Sequence, residues 1–194
     1  LPKTAWPPTY TMSLTAHKFY GLNGIGLLIK RRNLALEPLI HGGESTTIYR
    51  SGTPTVALAS SLACALNLAV TDLPGRVDHV AKLNAELRAA LSTYPLVRIN
   101  SPDHAIPHVL NLSVQNVKGT IFQRELDAKG VCVSVKSACS SDGLPSRAVF
   151  AVSRDRRNAL SSWRISLSHL TTEDEIKSFL QAFDVCCREL TALH

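Results

Sequence analysis

The chain of 194 residues is 45% hydrophobic and 19% charged, a composition that provides a sizeable core and excludes disordered and fibrous chains. This length corresponds to one large domain or two small ones. The net charge of +6 lies in short basic groups without interleaved aromatic residues, which argues against nucleic-acid binding. The most apolar stretch, Val56 to Val70, is too short to span a bilayer, so we expect no membrane segment.

The chain begins without methionine at Leu1-Pro2-Lys3, has no apolar signal-peptide core, and reaches a dense motif almost at once. We therefore expect it to be a piece of a longer protein. The five cysteines are odd in number and lack C-x-x-C spacing, which argues against a disulfide framework and a zinc site. A reducing setting, the cytoplasm or an organelle matrix, fits best. Helical or strand patterns predict structural roles for four of them: Cys64, Cys132, Cys186 and Cys187.

Residues 1–73 show a strand-rich pattern that ends in one helix. We predict strands at Tyr10–Thr15, Ile25–Lys30 and Leu36–Ile40. Thr53 as N-cap and Pro54 as first helical residue predict a helix that runs to about Val70. This helix is apolar on most faces, so we expect it to be buried. A turn-forming group, Asp72-Leu73-Pro74-Gly75, then marks a domain boundary.

Residues 74–194 alternate between helical and strand patterns. The predicted helices are Arg76–Tyr94, Gly119–Lys129, Ser146–Ser153, Arg157–Ser161 and a last one that starts near Thr171 and ends near Leu193. The predicted strands are Val97–Ile99, Val109–Val114, Val131–Val135 and Trp163–Ser168. This order predicts an α+β layer, in which mostly antiparallel strands are covered by helices.

The segment from Val133 to Gly143 is the first candidate site. A β-branched run gives way to small, polar, turn-forming residues around Cys139, as when a strand leads into a surface loop. Lys136, three residues earlier, would favour the thiolate form of Cys139. From these residues alone, Cys139 is either a reactive nucleophile or an idle surface thiol.

Lys18 is the second candidate, between His17 and the aromatic pair Phe19-Tyr20. It is either a lysine that holds a cofactor aldehyde, kept nucleophilic by partial desolvation, or an ordinary surface lysine.

Two more residues have both a binding and a structural interpretation. Thr53, after Gly52, either binds a phosphate at the helix start, with Arg50 as a possible partner, or only caps the helix. Arg164 lies inside a predicted strand, where it either binds a substrate carboxylate or forms a structural ion pair.

In chain order these residues fall into a series of motifs that resembles the cysteine desulfurases of the NifS/IscS type. The motifs are His17-Lys18-x-x-Gly21-x-x-Gly24-Ile25-Gly26, His41-Gly42-Gly43, Arg50-Ser51-Gly52-Thr53-Pro54, Ser137-Ala138-Cys139-Ser140-Ser141, and Arg164-x-Ser166-Leu167 before Thr171-Thr172-Glu173-Asp174-Glu175-Ile176. Their order and approximate spacing hold from about Thr11 to Leu190.

The family belongs to the class V aminotransferase group and has the fold-type I α/β architecture of pyridoxal-phosphate enzymes. The resemblance implies that residues 1–73 are the end of the large cofactor-binding domain. Residues 74–194 would form the small α+β domain with a mostly antiparallel sheet. The resemblance also implies that Lys18 carries pyridoxal 5'-phosphate, with Thr15 and His17 beside the cofactor. Thr53 would reach the phosphate of the cofactor bound to the partner subunit of a homodimer.

By the same resemblance, Cys139 takes sulfur from L-cysteine as a persulfide and Arg164 holds the substrate carboxylate. A mobile Cys139 loop would pass the sulfur to an acceptor protein, such as a scaffold of Fe–S cluster assembly. The chain departs from the family at Gly21-Leu22-Asn23-Gly24, where Gly-Pro-Lys-Gly is commonest, and at Lys136, where glycine is usual. These departures suggest a divergent member.

In the family, the phosphate loop, the ring-stacking histidine and the aspartate on the pyridine nitrogen lie upstream of the lysine. None of them is in this sequence, so we expect the 194 residues alone neither to hold the cofactor tightly nor to turn over cysteine. Two alternatives stay open: another class V aminotransferase or lyase, and a non-catalytic α+β module that binds an Fe–S assembly partner through the Cys139 loop.

Overall fold

The computed structural model describes residues 11–43, 47–135 and 144–191. The chain divides into two compact units, Leu1–Leu73 and Pro74–His194.

The first unit contains a two-stranded antiparallel sheet and one long helix. Strand β1 (Thr11–Thr15) pairs with β2 (Gly26–Lys30), and Thr15 lies opposite Gly26. Between them a short 3-10 helix, Ala16–Phe19, ends at Tyr20 in the left-handed conformation with φ 69°. Helix α1 (Val56–Thr71) packs against this 3-10 helix. The turn therefore holds the Lys18 segment between the sheet and α1.

The predicted strand at Leu36–Ile40 is wrong, because these residues form no strand. Helix α1 also starts later than predicted: its N-cap is Thr55, whose carbonyl accepts from Ala59 N at 3.0 Å. Gly52, with φ +102°, redirects the chain just before Pro54, and the residue that precedes a proline disfavours the helical conformation. Thr53 is therefore outside the helix.

The prediction that α1 is buried is also wrong. Only Leu62 and Ala65 are buried, whereas Val56 and Leu68 are 74% and 56% exposed. The 3-10 helix is short and covers a single stripe of α1, so the remaining apolar side chains face outward.

The second unit is built on a three-stranded antiparallel sheet of order β3-β4-β5. Its strands are β3 (Val97–Ile99), β4 (Val109–Val114) and β5 (Ser162–Ser166), and Arg164 of β5 lies directly opposite Asn111 of β4. Because side chains alternate along a strand, Leu110, Leu112, Trp163 and Ile165 face one side and are buried there. The opposite face carries polar side chains, among them Arg98, Asn111, Ser113, Ser162 and Arg164.

Helices α2 (Leu73–Leu91), α3 (Gly119–Ala128) and α6 (Glu173–Thr191) contribute to the apolar core of this unit. Phe122, Trp163, Phe179 and Phe183 form its aromatic centre, with Phe122 stacked on Trp163 at 5.2 Å between ring centroids. Gly119 allows α3 to approach β5 closely, since a Cβ there would lie 2.5 Å from the carbonyl oxygen of Ser162.

Two short helices, α4 (Arg147–Ser153) and α5 (Arg156–Ser161), precede β5. Their N-caps, Ser146 and Asp155, accept hydrogen bonds from Val149 N and Asn158 N, which is the capping that serine and aspartate favour. The α5 cap fixes the position of Asn158 beside the polar face of β4.

Helix α6 begins with a capping box. Thr172 Oγ1 accepts from Glu175 N at 3.2 Å, and Glu175 Oε2 accepts from Thr172 N at 2.8 Å. Helix α2 begins at Leu73, earlier than predicted, and takes Pro74 and Gly75 into its first turn, where proline is tolerated.

The predicted strand Val131–Val135 is reduced to one bridge. Ser134 N donates to Arg164 O at 3.1 Å and Arg164 N donates to Ser134 O at 2.7 Å, so Ser134 pairs with the free edge of β5. This bridge brings the segment that precedes Cys139 next to Arg164.

Within the described residues, no single helix is long and apolar enough to span a membrane, although α1 and α2 together meet the length and composition criteria as a bent pair.

Candidate functional site

Cys139 and the rest of residues 136–143 lie outside the described residues. The two residues that flank this segment, Val135 and Leu144, are described, and both line one cavity of about 780 Å3 in the second unit. The same cavity is lined by Arg164. The segment that carries Cys139 is thus attached at both ends to the wall of the Arg164 cavity.

Arg164 lies on the polar face of β5, half-buried between the buried neighbours Trp163 and Ile165. Its Nε donates to Ser166 Oγ at 3.1 Å. Among the described residues, no carboxylate pairs with Arg164, so the structural ion pair considered from the sequence is not found there. The two terminal nitrogens of its guanidinium group are left to bind a ligand, and their planar arrangement suits a carboxylate.

The cavity is positively charged. Arg98, Arg147 and Arg164 line it, together with polar side chains such as Asn100 and Asn111, and no aspartate or glutamate is among its lining residues within the described ranges. Arg98 is half-exposed and lies 3.7 Å from Asp155, a weakly held surface pair. The cavity therefore favours an anionic ligand.

A chain of hydrogen-bonded amide and hydroxyl groups, buried at Ser113 and Asn158 and half-buried at Asn100 and Asn111, supports one wall of the cavity. Asn158 Nδ2 donates to Asn100 Oδ1 at 2.9 Å. Asn100 Nδ2 in turn donates to Asn111 Oδ1 at 2.9 Å and to Ser113 Oγ at 2.8 Å. Ser113 Oγ donates to the carbonyl oxygen of Asn158 at 3.0 Å. These bonds join α5 to the ends of β3 and β4 and fix the orientation of each amide.

The loop after β3, at Ser101 and Pro102, forms another part of the wall and is held by α2. Arg88 Nη2 donates to the carbonyl oxygens of both loop residues, at 3.0 and 3.1 Å. Arg88 Nε donates to Asn84 Oδ1, and Asn84 Nδ2 donates to the carbonyl oxygen of Pro107. Helix α2 therefore fixes the loop at both of its ends.

In the first unit, Lys18 is exposed near the end of the 3-10 helix, so the expected desolvation by its aromatic neighbours is not seen. The turn at Tyr20 directs that ring outward, and it is 59% exposed. Thr15 Oγ1 and His17 Nδ1 are hydrogen-bonded at 3.1 Å, which brings these two predicted residues together. The roles of Lys18, Thr15 and His17 stay predictions.

Thr53 is exposed and lies two residues before the N-cap of α1, so its hydroxyl does not cap the helix. The guanidinium group of Arg50 folds over Gly52, where a Cβ would lie 3.3 Å from Nη1. A hydroxyl and a guanidinium group are donors of the kind that a phosphate requires. The chemistry of these groups, together with the amine of Lys18, fits pyridoxal phosphate.

The four described cysteines differ in environment. Cys186 and Cys187 are buried in α6, and burial raises the pKa of both thiols, that of Cys187 to about 12. Cys64 and Cys132 are exposed, which is not the environment expected of structural cysteines. Cys132 Sγ donates to Asp127 Oδ1 at 3.7 Å. None of these four is among the residues that line the cavity.

Sequence reasoning missed the amide chain and two of the three cavity arginines. The signal for the amides was present: Asn111 and Ser113 alternate with leucines in β4, on the same face as Arg164 in the adjacent strand. Arg98 and Arg147 gave no such signal, because they were single charges within short elements. Among the described residues, no group of three or more His, Cys, Asp or Glu side chains is arranged to hold a metal ion.

Comparison with known proteins agrees with the sequence-based resemblance. The sequence profile of the aminotransferase class-V family matches residues 11–179. A protein named cysteine desulfurase IscS from Vibrio cholerae is 36% identical over 186 residues, which cover 94% of this chain and 46% of that protein. A second protein of that name, from Dictyoglomus turgidum, is 31% identical over 185 residues, or 94% of this chain and 47% of its own length.

Solved structures resemble the chain over nearly its whole length. A NifS-like protein superimposes with a TM-score of 0.81 at 31% identity, covering 92% of this chain and 46% of that one. A NifS-like protein from Rickettsia africae gives the same TM-score at 27% identity. The expected α/β fold is confirmed. The chain spans about half the length of the curated relatives it matches.

Proposed function

The chain belongs to the aminotransferase class-V family, and on that premise we propose that it is the carboxy-terminal part of a cysteine desulfurase. The whole protein converts L-cysteine to L-alanine and holds the sulfur as a persulfide on Cys139. Residues 1–73 are the end of its large cofactor-binding domain, and residues 74–194 are its small domain.

The observation that carries this proposal is the cavity of the second unit. It is lined by Arg164, whose terminal nitrogens have no partner among the described residues, and by Val135 and Leu144, which flank the segment that contains Cys139 in the sequence. A substrate that binds Arg164 through its carboxylate is therefore close to where the Cys139 segment is attached. That is the arrangement required when an amino acid must be anchored and its sulfur removed by a nearby thiol.

The residues of this chain have distinct roles in the proposed reaction. Arg164 holds the α-carboxylate of L-cysteine by charge-assisted hydrogen bonds. Cys139, as a thiolate favoured by Lys136 three residues earlier in the sequence, attacks the sulfur of the substrate. A sulfur–sulfur bond forms, the bond between Cβ and sulfur breaks, and the carbon skeleton takes up a proton and leaves as alanine. The atoms balance without an external oxidant or reductant.

Lys18 would hold pyridoxal phosphate through its Nζ, with Thr15 and His17 beside it, and Thr53 would bind the phosphate group in a partner subunit of a homodimer. When bound, the cofactor supplies an electron-withdrawing ring that weakens the bonds around the α-carbon of the amino acid. Lys18 is also the proposed acid and base at the α-carbon. The persulfide then passes to an acceptor protein, for which we propose a scaffold of Fe–S cluster assembly.

The test is an assay of the whole protein from its source. With pyridoxal phosphate, L-cysteine and a thiol reductant, we expect equal amounts of alanine and sulfide. Cys139→Ser abolishes sulfide release, whereas Cys132→Ser, an exposed cysteine outside the cavity lining, serves as the matched control and retains it. Full sulfide release by the Cys139→Ser variant would contradict the assigned role and favour another class V reaction.

A further inference from the structure

The amide chain behind the cavity has a fixed direction of donation. The carbonyl oxygen of Asn158 can only accept a hydrogen bond, so the proton between it and Ser113 must come from the Ser113 hydroxyl group. Ser113 Oγ therefore accepts its second bond, and the donor is Asn100 Nδ2. This assigns the amide group of Asn100 with its nitrogen toward β4 and its oxygen toward Asn158.

The same direction of donation fixes the orientation of the Asn111 amide group. Asn100 Nδ2 donates its other proton to Asn111 Oδ1, so the oxygen of the Asn111 amide group is turned toward Asn100. Its nitrogen, Nδ2, has two protons to donate and no acceptor among the described residues. The side chain of Asn111 is only half-buried and lines the cavity, so these protons are accessible to a ligand.

Asn111 and Arg164 are directly opposite each other in the sheet. Side chains at such positions stand on the same face, with Cβ atoms roughly 5 Å apart. Arg164 and Asn111 therefore present donor groups on the same face of the sheet, and both residues line the cavity. No aspartate or glutamate lines that cavity in the described ranges, and Arg98 and Arg147 add positive charge around it.

We propose that Asn111 is a second substrate-binding residue, whose Nδ2 donates to one oxygen of the amino-acid α-carboxylate that Arg164 holds. Asn100 and Asn158 act through Asn111 and are positioning residues. This inference deepens the proposed function and rests on it for the identity of the ligand as an amino acid. Asn111 would select for ligands with a carboxylate, since a ligand with an uncharged amide in place of the carboxylate offers a weaker acceptor.

The test uses L-alanine, the amino acid formed in the proposed reaction, and the 194-residue chain labelled with nitrogen-15. Side-chain NH2 signals of asparagine are observed directly by heteronuclear NMR, so no variant is needed for the first measurement. Titration with L-alanine should shift the Asn111 NH2 signals together with the Nε signal of Arg164. L-Alaninamide, which lacks the carboxylate, should leave both unchanged.

Variants then give the size of the effect. Asn111→Asp keeps the shape but replaces the donor by a charge that repels the ligand, and we expect it to weaken L-alanine binding at least tenfold. Asn116→Asp is the matched control, because it adds the same charge at an exposed turn with φ 65°, a conformation that aspartate tolerates. Asn116 is not among the residues that line the cavity, and its variant should bind as the unchanged chain does.

In the whole protein, Asn111→Asp should raise KM for L-cysteine far more than it lowers kcat, since a lost carboxylate contact weakens binding before the chemical step. Asn111 NH2 signals that do not move with L-alanine, or an Asn111→Asp variant that binds like the unchanged chain, would overturn the inference. Sulfide release by the whole protein is measured separately. If it is absent while Asn111 responds to L-alanine, the reaction assignment fails and the carboxylate site stands.

Discussion

Ser113 connects the stability of the second unit to the shape of its cavity. It is 1% exposed, accepts from Asn100 Nδ2 at 2.8 Å and donates to the carbonyl oxygen of Asn158 at 3.0 Å. Ser113→Ala removes both bonds, and the buried carbonyl of Asn158 loses its side-chain donor. A neutral hydrogen bond contributes about 1 kcal/mol and the loss of a donor to a buried acceptor costs about 1–3 kcal/mol, so we expect a loss of about 2–3 kcal/mol in unfolding free energy.

Ser162 provides a matched control, because it is the cross-strand neighbour of Ser113 and is equally buried. Its hydroxyl makes one bond, to the carbonyl oxygen of Ala159 at 3.0 Å. Ser162→Ala removes the same atom from the same sheet face and should cost about 1 kcal/mol. The difference between the two variants isolates the contribution of the amide chain.

Urea unfolding, followed by tryptophan fluorescence, measures both variants. Trp6 is replaced by Phe, so that Trp163, which is fully buried in the second unit, is the only reporter. We also expect Ser113→Ala to weaken L-alanine binding, since Asn100 and then Asn111 lose their fixed orientation. A Ser113→Ala variant no less stable than Ser162→Ala would refute the assignment of the amide chain.

Four further predictions concern Arg164, two of the cysteines and the aromatic core. Arg164→Lys keeps the positive charge but loses the planar pair of donors. KM for L-cysteine in the whole protein should therefore rise about tenfold with little change in kcat. An unchanged KM would show that Arg164 does not bind the substrate. Iodoacetamide at neutral pH should alkylate exposed Cys132 and not buried Cys187 in the folded chain, as peptide mass mapping would report. Burial raises the pKa of the Cys187 thiol from 9.0 to about 12, so the neutral thiol contributes its full stability to the folded chain below pH 9.0. This contribution is lost as the pH rises towards 12, and the urea midpoint should fall over that range. Phe183→Ala, at the fully buried aromatic centre, should cost about 3–5 kcal/mol in urea unfolding.

The elements of the second unit followed from the sequence, because their patterns are local. The apolar alternation of Val109–Val114 and the periodicity of Gly119–Ala128 were sufficient to locate a strand and a helix near their observed ends. The strand predicted at Val131–Val135 failed for a non-local reason. An edge segment is paired only where its partner strand extends, and β5 offers it a single residue, Arg164.

The first unit shows where local patterns give too little information. Helix α1 is apolar enough to be a core helix, yet only two of its residues are buried, because burial depends on what packs against a helix. The start of α1 was misplaced for another reason. Thr53 and Pro54 have the composition of a helix start, and the positive φ of Gly52, which moves the start to Val56, is not readable from that composition.

The candidate site was partly predictable. Arg164 stood out because a charged residue inside a strand needs a reason to be there, and the structure places it in a cavity. The orientation of Asn111 could not be predicted, since it depends on Asn100 and Asn158, which are distant in sequence and meet only in the folded unit.

In the proposed reaction, Cys139 receives sulfur from L-cysteine. The most direct measurement is peptide mass mapping of the whole protein, loaded with pyridoxal phosphate, after brief incubation with L-cysteine and without reductant. We expect the peptide that contains Cys139 to gain the mass of one sulfur atom, which a reductant then removes, and the peptide that contains Cys132 to gain none. Release of alanine with no sulfur added to Cys139 would contradict it.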